Sequence, residues 1–180
     1  EDQYHVGRLD INPKSAPTVL KEILKQCEKQ AKDKVKDDSG STATLTHLSP
    51  EGVVTVATVG DAPAMFMAKH KETGVVTMIP LTHDHEPEDF YEKSRIIQEG
   101  GYIWIKRVDG ILNLTRAIGD FSFKDQQNMF DKEKKGDHIS SEPDIVQIDV
   151  NDYLTGDYDV CVLTACDGIL DHGKANRKNY

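Results

Sequence analysis

Long apolar runs are missing from these 180 residues. No stretch approaches the roughly 20 residues of a membrane-spanning helix, and the start shows no secretory leader pattern. Basic residues are in short supply. Lys and Arg number 22 against 31 Asp and Glu, a formal net charge of −9, which argues against nucleic acid and anionic membrane as partners. Cysteine is scarce as well: Cys27, Cys161 and Cys166 make neither an even disulfide framework nor a Cys-x-x-Cys site. Two of them sit in one apolar run and read as small hydrophobes. The set points to a reducing, intracellular compartment, cytoplasm or nucleus. Internal repeats, linkers and low-complexity tracts are lacking too, so residues 1–180 read as a single domain.

What is present is a mixture of two periods. Residues 1–11 alternate loosely, as a strand does. Ser15 is placed to cap a helix over 16–36, with Pro17 in the first turn, where a missing N–H costs nothing. Leu20, Ile23, Leu24, Cys27, Ala31 and Val35 recur at helical spacing, which favours a core-facing helix over a coiled coil. From Ser41 the period becomes two. Strands are predicted over 42–47, 53–59, 64–68 and 75–79, joined as an antiparallel meander. A second helix is predicted over 87–99, stopped by Gly100-Gly101. Strands over 102–106 and 111–114 would pair about Asp109-Gly110. Residues 123–138 are polar and charged with little periodicity, and are expected to form a mobile, flap-like surface loop. Two more strands are expected over 145–149 and 160–165. Strands with interposed helices and no regular βαβ alternation give α+β: two packed antiparallel sheets with helices outside.

Chemistry concentrates in short blocks. The apolar run Val160 to Ala165 reads as a buried strand that drives into Asp167-Gly168, with Asp171 four residues on. An acid at the mouth of a buried strand must leave the core or find a cation. Upstream stand SGSTA (39–43), VGDAPA (59–64), LTHDHEP (81–87), SRIIQEGGYI (94–103), RVDGILNLTRAIGD (107–120) and SSEPDI (140–145). His83, Asp84 and His85 have the look of a His-x-His zinc site, but a third and fourth ligand have no clear source. Ser39-Gly40-Ser41 could cradle an anion, yet a strand follows where a helix would be needed, so a structural turn is the better reading. DYDVC (157–161) has the spacing of an aspartyl-phosphate motif but precedes the apolar run instead of following it.

Taken in order, these blocks resemble the metal-dependent Ser/Thr protein phosphatases of type 2C, from Ser39 to Asp171, with a weaker echo at residues 1–9. The resemblance implies a four-layer αββα sandwich and phosphoprotein substrates. It also implies two, possibly three, Mg²⁺ or Mn²⁺ ions and direct attack by a metal-bridging hydroxide. Hard ions take carboxylate and carbonyl oxygens, and a pair of them can both position the nucleophile and neutralise the phosphoryl group. On this resemblance Asp167 is a metal ligand of the serine-aspartate-glycine block, with Cys166 where serine is usual. Asp61 matches an acid near a third metal position, and Asp171 stands beside it in the pattern. Glu1 and Asp2 match the end of the Met-Glu-Asp block, and His83 to His85 match a block that orders a loop. Arg116 and Asp120 match a block near the active site for which a structural ion pair is at least as good a reading as a catalytic role. A cysteine-nucleophile loop finds no support, since the residues six beyond Cys161 and Cys166 are Asp167 and His172.

Two blocks of the family pattern are missing. Asp-Gly-His-Gly-Gly should fall between the first strand and the first helix, where Ile11 to Ala16 pass directly from one to the other. The later Asp-Asn block should follow Asp171, and HGKANRKNY contains no acid. The chain is therefore expected to be part of a larger phosphatase, as its start at Glu1 also suggests, and not an efficient catalyst alone. The alternative is a pseudophosphatase that kept the sandwich and binds a phosphoprotein.

Overall fold

The computed structural model describes residues 11–166 and residue 168; the strand expected at 1–11 thus lies almost wholly outside the described residues. Helix α1 spans Ala16–Lys34 and buries Ala16, Leu20 and Leu24, a stripe at four-residue spacing. Each buried leucine is worth about 1.5–3 kcal/mol. The stripe ends sooner than the sequence suggests, for Cys27 is exposed. Ser15 does not cap α1, since its backbone is already helical and its side chain makes no capping bond. Asn12 does that work one turn earlier: its Oδ1 accepts the N–H of Lys14 and of Ser15, both at 3.0 Å.

The main strands are β1 (Ala43–Leu48), β2 (Val53–Val59), β3 (Ala64–His70), β4 (Val76–Pro80), β5 (Asp144–Asp149) and β6 (Tyr158–Thr164). They form two antiparallel three-stranded sheets, ordered β5-β2-β1 and β6-β3-β4. The expected meander is therefore split. β2 and β3 belong to different sheets, because the chain turns out of the first at Gly60, whose φ of +100° favours glycine. Val54 and Val56 face Ala64, Phe66 and Ala68 across the sandwich. The alternate residues Ala57 and Val59 face Leu20 and Leu24 of α1. The period of two thus splits β2 between two cores. At one end of the sandwich Phe66, Tyr153 and Tyr158 stack edge to face, with ring centroids 5.3 Å apart at each step.

β6 corrects an expectation. Read as a buried strand, it pairs only with β3 and forms the edge of its sheet among the described residues. Cys161 and Cys166 are exposed rather than core. Burial depends on what packs over a strand, and on the face of this sheet turned away from the sandwich Val76 and Met78 are exposed too.

Helix α2 spans Phe90–Gln98, starting later than residue 87 because Asp89 is its cap and accepts the N–H of Tyr91 and Glu92. It ends as expected at Gly100, with Gly101 N–H donating to Ile96 O at 2.9 Å. Its Ile96 packs with Val108, Ala117, Phe123 and Ile139. The expected hairpin is displaced. Ile103–Trp104 pairs with Arg107–Val108 about Ile105-Lys106, both at positive φ, and Asp109-Gly110 makes a second tight turn at once. In the segment 123–138, Gln126–Gln127 pairs with Lys135–Gly136.

Candidate functional site

The turn after β2 carries Gly60, Asp61, Ala62 and Pro63, and it is gripped from several sides. Thr44 Oγ1 of β1 donates to Ala62 O at 2.6 Å. A Cβ on Gly60 would lie 2.3 Å from Thr42 Cγ2, so only glycine lets the chains approach this closely. Beside it comes the C-terminal end of β6: Thr164 pairs with Ala64, and Ala165 N–H donates to Pro63 O at 3.1 Å. Thr164 Oγ1 and Thr46 Oγ1, 3.1 Å apart, tie the two sheets together here.

His85 lies against this turn, fully buried. Its ring Nδ1 accepts the Gly60 N–H at 2.9 Å, and the His85 backbone N–H donates to Gly60 O at 3.3 Å. Because Nδ1 is an acceptor, a neutral ring carries its proton on Nε2. Nε2 is 3.1 Å from Asp144 Oδ2, close electrostatic contact but off the line of a regular hydrogen bond. Arg116 completes the group. Its Nη1 donates to Asp144 Oδ1 at 2.8 Å, and its Nε and Nη2 donate to Glu92 Oε1 at 3.0 and 2.5 Å.

The electrostatics follow from these contacts. The His85 ring first, then the Arg116 guanidinium, overcome burial and hold the Asp144 carboxyl down at about 2. Burial pushes Glu92 upward, but hydrogen bonding and charge from Arg116 outweigh it and leave the carboxyl lowered. With His83, Asp89 and Tyr91 these residues line an open pocket of about 510 Å³. His83 is exposed and pairs with Asp89 at 3.0 Å, while His85 is fully buried. The zinc reading of His-x-His gains nothing, for among the described residues no three His, Cys, Asp or Glu side chains are grouped to hold a metal ion.

A second polar centre joins α1 to the loop after Arg116. Glu28 Oε2 accepts the Gly119 N–H at 2.9 Å, and Glu28 Oε1 accepts Lys124 Nζ at 2.7 Å. Asp120, at φ +50°, is buried over Gly40, where a Cβ would lie 1.9 Å from its carboxylate. Gly40–Ser41 pairs with Ile118–Gly119, so the Ser39–Ser41 block, expected as a turn, carries a short strand instead. Arg116 forms the expected kind of ion pair, though with Glu92 and Asp144 and not with Asp120.

The comparisons with known proteins bear on the whole arrangement. The family described as Protein phosphatase 2C matches residues 10–176. The chain belongs to the protein phosphatase 2C family. A probable protein phosphatase 2C of Caenorhabditis elegans, T23F11.1, is 37% identical over 139 residues, 77% of this chain and 35% of that protein. Protein phosphatase 2C homolog 2 of Schizosaccharomyces pombe is 35% identical over 144 residues, 79% of this chain and 35% of its own length. The chain thus spans about a third of the relatives it matches. Among solved structures, a C. elegans sex determining protein superposes with TM-score 0.67 at 26% identity, covering 90% of this chain and 35% of that one. A serine-threonine phosphatase 2C from Toxoplasma gondii, 22% identical, superposes with TM-score 0.63 over 91% of this chain and 56% of its own, a likeness of fold.

The phosphatase 2C family is metal-dependent, which makes the candidate ligands the question. Asp61 is described, on the turn that meets the end of β6. Glu1, Asp2, Asp167 and Asp171 lie outside the described residues. In kind the donors fit, since all five are carboxylates, which hard divalent ions take in preference to thiolate. Sequence reasoning missed Glu92 and Asp144. A signal for Glu92 was available: it precedes Ile96 by four residues, so it stands on the buried stripe of α2, where an acid needs a cation.

Proposed function

We propose that the protein carrying this chain is a Mg²⁺- or Mn²⁺-dependent phosphatase of phosphoserine and phosphothreonine in proteins, acting inside the cell in cytoplasm or nucleus. The observation that carries the reading is the family match over residues 10–176, together with the convergence of the Asp61 turn and the end of β6. Asp61, Asp167, Asp171, Glu1 and Asp2 are the residues that would hold two or three ions. Such ions, when bound, supply an activated water and positive charge against a phosphoryl group. The chain's own contribution is to hold the Asp61 turn: His85 and Thr44 fix its backbone, and Gly60 lets it pack.

A pseudophosphatase that binds phosphoprotein without turnover is the second reading. Under it the family's Asp-Gly-His-Gly-Gly block, missing between Ile11 and Ala16, was lost from the protein and not merely left out of this stretch. One experiment separates the two. A phosphothreonyl peptide is incubated with the full-length protein in Mn²⁺ or in EDTA, and free phosphate and bound peptide are both measured. Phosphate release that needs Mn²⁺ supports the phosphatase. Bound peptide with no release in either condition supports the binding module.

A further inference from the structure

We infer that His85 is a positioning residue of the phosphatase site, setting the Gly60-Asp61 turn through its Nδ1 while Asp144 sets the ring; the inference rests on the phosphatase reading above. Three observations carry it. His85 holds both backbone polar groups of Gly60: its ring Nδ1 accepts the N–H at 2.9 Å, and its backbone N–H donates to the carbonyl at 3.3 Å. The ring is fully buried and its other edge lies 3.1 Å from Asp144, so neither its height nor its rotation is free. Asp144 is in turn held by Arg116 at 2.8 Å, and Arg116 by the buried Glu92. The chain of contacts ends on the residue next to Asp61, and the fixed tautomer makes Nδ1 an acceptor aimed at one N–H.

A ligand carboxylate must be placed to within about 0.5 Å to serve hard ions that demand regular oxygen geometry. The Gly60-Pro63 turn links the central strands of two different sheets and lies outside either ladder, so contacts from neighbouring groups must set its position. Groups that orient a ligand without touching the ion typically change metal affinity by about 10- to 100-fold when removed. The two ring nitrogens can be tested apart, because asparagine places an amide oxygen near the Nδ1 position and glutamine reaches toward the Nε2 position.

The test uses the full-length protein, wild type, His85→Asn and His85→Gln. It measures Mn²⁺ binding by calorimetry without substrate, amide exchange at Gly60 by NMR, and kcat and KM on a phosphothreonyl peptide. His85→Gln is expected to weaken Mn²⁺ binding by about tenfold or more and lower kcat at fixed Mn²⁺. It should speed exchange at Gly60 while leaving KM for peptide near its wild-type value. His85→Asn should keep Gly60 protected and bind Mn²⁺ within about threefold of wild type. Equal effects of the two variants, or none from either, would overturn the inference. If His85→Gln does not fold, a tenfold Mn²⁺ loss in a folded His85→Asn overturns it equally. Absence of Mn²⁺ binding in wild type would defeat the phosphatase reading instead, and exchange at Gly60 in the two variants would still decide whether His85 sets the turn.

Discussion

Glu92, on the buried face of α2, takes Arg116 on one carboxylate oxygen through Nε at 3.0 Å and Nη2 at 2.5 Å. Its other oxygen takes Arg95 Nη2 at 3.2 Å. One acid thus serves two guanidinium groups, and Arg116 carries the link onward to Asp144 at the start of β5. Neither Glu92 nor Arg116 could stay buried alone.

Removing one partner should therefore cost far more than the pair contributes. Arg116→Met is expected to lower stability by about 3–5 kcal/mol, and Arg116→Lys should rescue little, since a single ammonium cannot reach Glu92 and Asp144 together. The double change Glu92→Leu with Arg116→Met should recover part of the loss. Urea denaturation of the four proteins checks this, and a double variant no better than Arg116→Met would contradict it.

Asp144 gives stability a defined dependence on acid. Its carboxyl is lowered from 3.8 to about 2, by the His85 ring first and by Arg116, against burial. A folded value below the unfolded one means that the contribution is complete above the unfolded pKa and is lost as pH falls through the folded one. The side chain is 45% exposed, so solvent screens the contribution and the effect is modest. Melting temperature should drop across this window in the wild type and less steeply in Asp144→Asn. Parallel curves for the two proteins would contradict the assignment.

Asp120 should behave in the opposite sense. Burial first, with Asp38 and Glu28 adding to it against Lys124, raises its carboxyl. A raised value means that ionisation costs the folded state, so the stabilising form is present at low pH and lost as pH rises through the folded pKa. Asparagine tolerates the left-handed backbone that Asp120 adopts at φ +50°. Asp120→Asn is expected to melt higher than wild type near pH 7, with the gap closing toward acid. A lower melting temperature at pH 7 would contradict this.

The segment over 123–138 was legible as polar and aperiodic, but its anchors were not. Phe123, Asn128 and His138 are buried, and Asn128 Nδ2 donates to Gln98 O at 3.3 Å at the end of α2. Met129 and Phe130 at the tip are exposed. Replacing only residues 129–134 by Gly-Ser should leave folding and hydrolysis of a small aryl phosphate within about twofold, and alter rates on phosphopeptides more strongly. Equal loss on both substrates would show that the tip supports the core.

The reach of sequence reasoning follows the range of the interactions. β2 was legible to the residue because its strand pattern is local, and the end of α2 because Gly100-Gly101 stops it, whereas its start was read at residue 87 and the cap at Asp89 went unrecognised. Two packed sheets were legible, but which strand joins which sheet was hidden, since that turns on one glycine at φ +100° between β2 and β3. The capping role of Asn12 was masked by Ser15 at the expected position. The Glu92–Arg116–Asp144 chain joins residues 24 and 28 apart and leaves no periodic trace. Asp61 is a candidate ligand through the family pattern alone, as Gly-Asp turns between strands are common.

The most direct measurement is phosphate release from a phosphothreonyl peptide by the full-length protein in Mn²⁺, wild type beside Asp167→Asn. Release is expected that EDTA abolishes and that the substitution lowers on the order of a hundredfold with the protein still folded. Release that persists in EDTA, or that survives Asp167→Asn undiminished, would contradict this.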